Sequence, residues 1–353
     1  MKFGITIRQV NEVDLAVRAE AAGYDFVWVF DSPMISSNPW VTMGLIAART
    51  STMRVGTGVA VPGLRMAPAT ANAIATVNAV APGRTFLGVG TGNTAMRAMG
   101  QLPMKIADYA EHIRVIRGLL NGETVSFTAN DTTADIAFQS LELGYVDIDH
   151  KIPIHVGGFG PRAQALAGEV GDGLITGIPR GGTVTGALAN VQAGADRVGR
   201  SLDNFETTAL VNMLVLRSGE TLESERAVQE VGSSVLVNVH YLYDLYLEFG
   251  TDPPSFVEPI WEEYVAFRVR RDAERSHLQA HSSHYGHLDP DEARFVTPEM
   301  IRAVCVAGHP GDVVEQLTDL EAQGLDGVNF IMPTDRQWEM CDEFARDVIA
   351  RFR

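Results

Sequence analysis

The chain contains 353 residues, of which 46% are hydrophobic and 20% are charged, so it has enough apolar side chains to bury a large core. Its formal net charge of -16 disfavours binding to nucleic acids and to anionic membrane surfaces, because both need a positively charged protein face. The two cysteines, Cys305 and Cys341, lie far apart without CxxC spacing and indicate neither a disulfide framework nor a cysteine metal site.

The N-terminal residues 2–7 form a predicted strand and lack the basic and apolar segments of a secretion signal. No apolar run of about 18 residues occurs later, so no transmembrane helix is predicted. We therefore expect a cytoplasmic protein. A helical pattern follows over residues 10–22 and ends at Gly23, a position where glycine is common just after a helix.

Strand-like runs alternate with helical patterns along the whole chain, which is typical of parallel βα units. The predicted strands are residues 2–7, 26–30, 53–60, 85–89, 154–156, 173–176, 207–216 and 327–331. Further helical patterns cover residues 40–50, 67–81, 107–120, 161–169, 184–198 and 310–323. This order favours a single-domain (β/α)8 TIM barrel over residues 1–353, with an open doubly wound sheet as the alternative.

Two stretches depart from this alternation. Residues 123–153 are polar and contain a short alternating run, so we predict a loop or a short hairpin. Residues 239–299, between the seventh and eighth strands, are rich in aromatic residues and histidine and are too long for an ordinary connection. We predict that this insertion is a lid over the site.

In a barrel, residues that follow the strand C-termini converge on one mouth. Asp31 follows the second strand, where its carboxylate could bind a ligand heterocycle or simply cap a turn. Gly56 and Gly58 lie inside the third strand and indicate a bulge or a close approach of the backbone to a ligand. These strand ends are therefore the candidate site.

The fourth and fifth strands are both followed by glycine-rich runs. Residues 87–93 (LGVGTGN) have GxGxG spacing, which does not match the GxGxxG dinucleotide fingerprint. Residues 156–161 (VGGFGP) lead into a helix whose N-terminus could bind a phosphate through free N–H groups, with Arg162 adding a contact. A second small-residue turn lies at residues 171–177, and a purely structural turn is the alternative for both.

Four histidines in the insertion, at positions 277, 281, 284 and 287, have spacings that could place pairs on one helix face. Ser282, Ser283 and Gly286 interrupt that helix, and no acidic or cysteine ligand completes a motif, so we predict no metal site. The preferred interpretation is a polar lid in which His284 binds substrate or relays protons. Solvated surface histidines are the alternative.

Several segments together resemble one family over nearly the whole chain. They include residues 19–28 with Asp31, residues 48–50 and 55–58, Arg65 with Pro68, and residues 82–84, 87–90, 153–161, 167–173 and 308–310. The chain resembles the luciferase-like flavin and deazaflavin oxidoreductases, nearest to the branch that contains methylenetetrahydromethanopterin reductase.

The resemblance implies a reduced flavin or deazaflavin at the mouth of the barrel, and it assigns site residues by position. The cofactor phosphate would lie among Gly157, Gly158, Phe159, Gly160, Thr176 and Gly177. Gly58, Val59 and Ala60 would form a bulge behind the ring, with a cis peptide bond between Gly58 and Val59.

The resemblance also implies that Asp31 contacts the ring or the substrate. Asn93 stands where the related sugar-phosphate dehydrogenase has a catalytic glutamate, and Ser32 stands where many relatives have histidine. We therefore do not expect the sugar phosphate as substrate, and we take Asp31, Asn93 and His284 as catalytic candidates, with Asn93 also a cofactor-binding candidate.

The first hypothesis is an oxidoreductase that uses coenzyme F420 (8-hydroxy-5-deazaflavin) to move a hydride to or from a C=C, C=N or C=O carbon of a small molecule. The alternative is a reduced-FMN monooxygenase that uses O2 through a flavin hydroperoxide, with a separate reductase supplying the cofactor. A third possibility is a non-catalytic flavin-binding subunit. We also expect a homodimer and neither nucleic acid nor membrane as partner.

Overall fold

The computed structural model describes residues 1–178, 182–274 and 287–353, with the backbone alone for residues 272–274. Eight parallel strands within these residues close into a barrel, which confirms the predicted (β/α)8 fold. In chain order all strands of the described residues are β1 (Lys2–Ile7), β2 (Phe26–Val29), β3 (Arg54–Ala60), β4 (Thr85–Val89), β5 (Val125–Ala129), β6 (Thr132–Ile136), β7 (Ile154–Gly157), β8 (Gly173–Gly177), β9 (Glu206–Leu210), β10 (Asn212–Val215), β11 (Cys305–Gly308) and β12 (Gly327–Phe330). Four of them, β5, β6, β10 and β11, pair outside the barrel. Around the barrel the order is β1, β12, β9, β8, β7, β4, β3, β2.

Helices connect most consecutive barrel strands and lie outside the barrel. They are α1 (Val13–Ala21), α2 (Pro39–Arg49), α3 (Ala67–Val80), α4 (Asn93–Arg97), α5 (Ile106–Leu120), α6 (Pro161–Val170), α7 (Val184–Val198), α8 (Glu225–Phe249), α9 (Glu258–Glu274), α10 (Pro298–Val304), α11 (Pro310–Ala322) and α12 (Gln337–Asp347). Local signals fix their ends: the Thr183 hydroxyl caps α7 through the Gly186 N–H at 3.1 Å, and left-handed Gly199 ends that helix. No helix in the described ranges is long and apolar enough to span a membrane.

The main hydrophobic core lies between the barrel and its helices. Alternate residues of each strand point outward and pack against apolar helix faces, as period-2 strands and period-3.6 helices require. Representative members are Ile5, Val27, Val55 and Leu87 from the strands and Leu15, Ile46, Ile74 and Ile113 from the helices.

Aromatic rings fill the interior of the barrel, and glycines on neighbouring strands make room for them. A Cβ added to Gly4 would lie 2.3 Å from the ring of Phe26, its cross-strand partner, and a Cβ on Gly56 would lie equally close to Phe86. These rings pack with Trp28 and Ile175 in one buried cluster. The interior is therefore a packed core, and open space for a ligand begins at the mouth.

The seventh predicted strand, residues 207–216, is two strands in the structure. Strand β9 pairs inside the barrel, whereas β10 leaves it and pairs in parallel with β11, a strand that the sequence did not predict. The run contains no glycine or proline, so its pattern does not show where the pairing partner changes. The hairpin considered for residues 123–153 is present as β5 and β6.

Between β10 and β11, the helices α8, α9 and α10 form a second hydrophobic core. Its largest buried members include Tyr243, Tyr264 and Phe295. The insertion between the seventh and eighth barrel strands is thus mainly helical, and it starts before residue 239 because α8 begins at Glu225. Its role as a lid stays a prediction.

A charged cluster closes the end of the barrel opposite the mouth. The Glu206 carboxylate accepts from Lys2 at 2.9 Å and from Arg54 at 2.9 Å, and His155 Nε2 lies 3.5 Å away. Burial disfavours the charge on Glu206, but Arg54, His155 and Lys2 outweigh that effect and lower its pKa to about 2. Burial lowers the pKa of His155 to about 4, so this histidine is neutral at pH 7.

These pKa shifts predict a loss of stability in acid. Because the folded-state pKa of Glu206 lies below its usual 4.5, its contribution is complete above that pH and is lost as the pH falls toward 2. For His155, stability is lost as the pH falls from its usual pKa of 6.5 toward 4. We expect Glu206→Gln to lower the free energy of unfolding by about 1–3 kcal/mol at pH 7, because Arg54 and Lys2 lose their partner.

Urea denaturation followed by circular dichroism at pH 7 and pH 3.5 measures this effect. The difference between wild type and Glu206→Gln should shrink at the lower pH, and exposed Glu142→Gln, the matched control, should change little at either. An equal difference at both pH values would contradict the assignment.

Candidate active site

The mouth at the C-terminal ends of the barrel strands has two unlike halves. One half, formed by β3, β4, β7 and β8, presents small residues and backbone, including Gly90, Gly157 and Gly177. The other half, formed by β9, β12, β1 and β2, presents the bulkier Leu210 and Ile331. A ligand can thus approach the backbone closely only in the first half.

A bulge in β3 places Val59 in the glycine-lined half. The pairing of β3 with β4 shifts register between Thr57 and Ala60, and the Gly58–Val59 peptide bond is cis, which confirms that expectation. A Cβ on Gly90 would lie 2.4 Å from Val59 Cγ2, and one on Gly157 would lie 3.2 Å from Cγ1. The Val59 side chain therefore lies across the ends of β4 and β7.

The turn after β7 exposes its backbone at the start of α6. Gly160 occupies the N-cap position, and within the described chain no side chain caps this helix. A Cβ on Gly158 would lie 2.8 Å from the Cβ of Ala163, so this position has no room for a side chain. A helix N-terminus with uncapped N–H groups suits a phosphate, and the exposed Arg162 lies in the same turn.

Phe159 and the end of β8 complete this half of the mouth. The Phe159 ring lies over Gly177, where a Cβ would come within 2.7 Å of Cε1, and the side chain remains 42% exposed. The Thr176 hydroxyl beside it is buried and has no hydrogen-bond partner in the described residues. The structure thus brings together five of the predicted residues, namely Gly157, Gly158, Phe159, Thr176 and Gly177.

Tyr109 on α5 supports the same turn and was not identified from the sequence. It is fully buried, donates a hydrogen bond to the Val89 carbonyl, and accepts one from the Gly157 N–H at 3.2 Å. Burial raises the pKa of its phenol, which therefore stays protonated. The phenol joins the ends of β4 and β7, although its position in an apolar helical pattern is typical of a core residue.

Asp31 lies at the end of β2 and is 2% exposed. Its Oδ2 accepts from the Val61 N–H at 3.1 Å and from Arg65 Nη1 at 2.5 Å. Its Oδ1 is buried without a partner among the residues described. Asp31 therefore anchors the segment after β3 with one oxygen, whereas the other is available to hydrogen-bond a ligand.

Of the two remaining catalytic candidates, the structure describes Asn93. Asn93 follows β4, is exposed, and accepts from Arg97 Nε at 2.8 Å. Arg97 in turn contacts Glu248 at the end of α8, 3.2 Å away. His284 lies outside the described residues.

Helix α8 extends along the mouth and is held at both ends. Glu230, 3% exposed, pairs with Arg336 in the turn after β12 at 2.9 Å, whereas Glu248 pairs with Arg97 after β4. Eighteen residues separate the two glutamates, a distance of about 27 Å along a helix. The first residues of the insertion therefore already form one wall of the site.

These features fit a cofactor that carries a phosphate and a flat ring. The glycines allow a ligand to approach the backbone closely, and the start of α6 suits an anion. The Thr176 hydroxyl lacks a hydrogen-bond partner in the described chain. A family model for luciferase-like monooxygenases matches residues 6–327. The chain belongs to this family.

Proteins of known function agree with this assignment. The chain is 28% identical to 5,10-methylenetetrahydromethanopterin reductase from Archaeoglobus fulgidus over 93% of this chain and 92% of the relative. It is 30% identical to the F420-dependent glucose-6-phosphate dehydrogenase of Nakamurella multipartita over 62% and 66%. The structure of the coenzyme F420-dependent tetrahydromethanopterin reductase from Methanopyrus kandleri superposes with a TM-score of 0.72 at 20% identity, covering 100% of this chain and 99% of that one.

The position of Tyr109 predicts a local effect at the turn between β7 and α6. We expect Tyr109→Phe to lower the free energy of unfolding by about 1–3 kcal/mol, because it removes the buried hydrogen bonds that the phenol makes with the Val89 carbonyl and the Gly157 N–H. Hydrogen exchange measured by mass spectrometry should accelerate in the peptide around Gly157. Tyr145→Phe, which removes an exposed phenol bonded to the Gln139 carbonyl, is the matched control. Equal exchange in the two variants would show that the phenol does not hold the turn.

Proposed function

We propose that this protein is an oxidoreductase that uses coenzyme F420 to transfer a hydride to or from a small organic substrate. The observation that carries the proposal is the glycine-lined half of the mouth, where the Val59 bulge faces the turn at the start of α6. The F420-dependent glucose-6-phosphate dehydrogenase, 30% identical to this chain, supports the deazaflavin over FMN. In this proposal the bound coenzyme supplies the hydride, and the protein supplies binding and orientation.

The residues around the turn would hold the phosphate end of the coenzyme. The N–H groups at the start of α6 would donate to it, the Thr176 hydroxyl would add a hydrogen bond, and Arg162 would supply charge. In a chain with a net charge of -16, a local site of this kind is needed to bind an anion. Tyr109 would act as a positioning residue, because it fixes the turn without facing the ligand.

The opposite end of the coenzyme would lie against the Val59 bulge. Val59 blocks one side of this space, so substrate would approach from the other side, toward β2 and β12. Holding the two reactants in a fixed orientation is the main way such a site accelerates hydride transfer. The Oδ1 atom of Asp31 would accept a hydrogen bond from the ring or the substrate, since Oδ2 is engaged by Arg65.

A binding titration separates this proposal from the FMN alternative. We expect the purified protein to bind coenzyme F420 more tightly than FMN, as measured by fluorescence quenching under anaerobic conditions. With reduced coenzyme F420 and an enone, the coenzyme should be oxidised without consumption of O2. Tighter FMN binding together with substrate-dependent O2 consumption would instead establish the monooxygenase.

The turn itself is tested by Gly158→Ala. The new methyl group would lie 2.8 Å from Ala163 Cβ and 3.0 Å from the Gln164 nitrogen, so the first turn of α6 has to move. We expect the dissociation constant for the coenzyme to rise by about tenfold or more, the equivalent of losing one charge-assisted hydrogen bond.

Gly44→Ala is the matched control, because a Cβ there meets no atom within 4 Å and alanine favours a helix. It should leave the dissociation constant unchanged. If Gly158→Ala also binds the coenzyme as wild type does, the phosphate lies elsewhere.

A further inference from the structure

An apolar contact joins helix α8 to the bulky half of the mouth. Val237, 3% exposed, and Ile331, 8% exposed, form a small cluster against which Phe30 and Leu210 pack. Phe30 follows β2, Leu210 ends β9 and Ile331 follows β12, so the three barrel residues belong to strand ends on one side of the mouth. Val237 is the member that the insertion contributes.

This cluster is continuous with the interior residues under the proposed coenzyme site. Leu210 packs against Val237 and Ile331, and both Leu210 and Val59 pack against the interior cluster of Phe26, Trp28, Phe86 and Ile175. Phe30 and Leu210 are only partly buried, so the edge of the contact faces the open mouth. The space between Val59 and Val237 therefore lies where substrate would meet the coenzyme.

The position of Val237 is fixed by the helix that carries it. Glu230 lies seven residues before Val237, two helical turns away and thus on the same face, and its ion pair with Arg336 is nearly buried. Glu248, eleven residues after Val237, again lies on that face and pairs with Arg97. Contacts on both sides hold this face of α8 against the mouth.

Three arginines at the mouth are paired with carboxylates in the part of the chain that the structure describes. Arg65 contacts Asp31, Arg336 contacts Glu230, and Arg97 contacts Glu248. A substrate carboxylate or phosphate placed against Val237 would lose its hydration without gaining a partner from this apolar wall. Burial of the apolar surface of a neutral substrate against this wall would instead lower the free energy of binding.

We propose that Val237 is a specificity-determining residue, and that the substrate is a neutral molecule whose apolar body packs against Val237, Ile331 and Phe30. The proposal rests on the proposed function, because it places the electrophilic carbon between this wall and the coenzyme. The side chain at position 237 sets the length of substituent that fits. The wall selects substrate without taking part in the chemical step.

The test uses 2-cyclohexen-1-ones that carry a 4-alkyl chain from methyl to butyl, with reduced coenzyme F420. Removing carbon from a pocket wall changes discrimination between homologues by about tenfold or more. We expect Val237→Ala to raise kcat/KM for the butyl compound relative to the methyl compound by about tenfold, and Val237→Phe to lower it similarly. A 4-carboxymethyl analogue should be a poor substrate for all three proteins.

Val239→Ala is the matched control. Val239 is equally buried on α8 but packs into the separate core of the insertion, so its truncation costs stability without touching the mouth. It should lower the melting temperature and leave the chain-length profile unchanged. The dissociation constant for coenzyme F420 should stay within about twofold of wild type in both alanine variants.

Calorimetry measures binding of the matching saturated 4-alkylcyclohexanones in the presence of oxidised coenzyme F420, which has no hydride to donate to them. Turnover is measured in parallel with each cofactor. If wild type fails to use coenzyme F420, the proposed function is wrong. The dependence of ketone affinity on chain length then still tests whether Val237 contacts the substrate. If Val237→Ala and Val239→Ala share one profile, or if the charged analogue is preferred, the inference about Val237 is overturned.

Discussion

The packing of aromatic rings on glycines fills the barrel interior and leaves its mouth as the place where a ligand can meet the strand ends. Phe26 rests on Gly4, Phe86 on Gly56 and Trp28 on Gly58, and a Cβ at any of these glycines would lie within 2.6 Å of the aromatic side chain. These rings pack with Ile175 in one buried cluster, so side chains fill this part of the interior, as is usual in barrels of eight parallel strands. The charged cluster around Glu206 closes the end of the barrel opposite the mouth.

Side-chain size also decides which parts of the mouth are filled, but here small residues leave space open. At the ends of β4, β7 and β8, Gly90 and Gly157 lie beside Val59 and Gly177 lies under Phe159, and these small residues leave the backbone within reach of a ligand. On the other side, Phe30, Leu210 and Ile331 fill the space and α8 covers them. In the proposed function, this difference in side-chain size separates the half that would hold the cofactor from the half that would hold an apolar substrate.

The sequence predicted the barrel well because each strand is a short β-rich run bounded by turn signals, and because period-2 and period-3.6 patterns are local properties. The cis bond at Gly58–Val59 and the grouping of Gly157 with Thr176 came from the resemblance. Pairing partners are not local, so the split between β9 and β10 was missed. Tyr109 was missed for a related reason: its hydroxyl acts across two strand ends that its own helix pattern does not reveal.

Gly58 shows why loss of activity alone cannot separate structure from function here. Toward the barrel interior, the absence of a side chain at Gly58 makes room for Trp28, because a Cβ there would lie only 2.6 Å from the Trp28 Cβ and Cγ. Toward the mouth, Gly58 starts the bulge that contains Val59. Any substitution there disturbs the interior core and the site together. Gly158 and Val237 are more informative because neither belongs to the cluster of interior rings, and because Gly44 and Val239 offer the same chemical change where no ligand is expected.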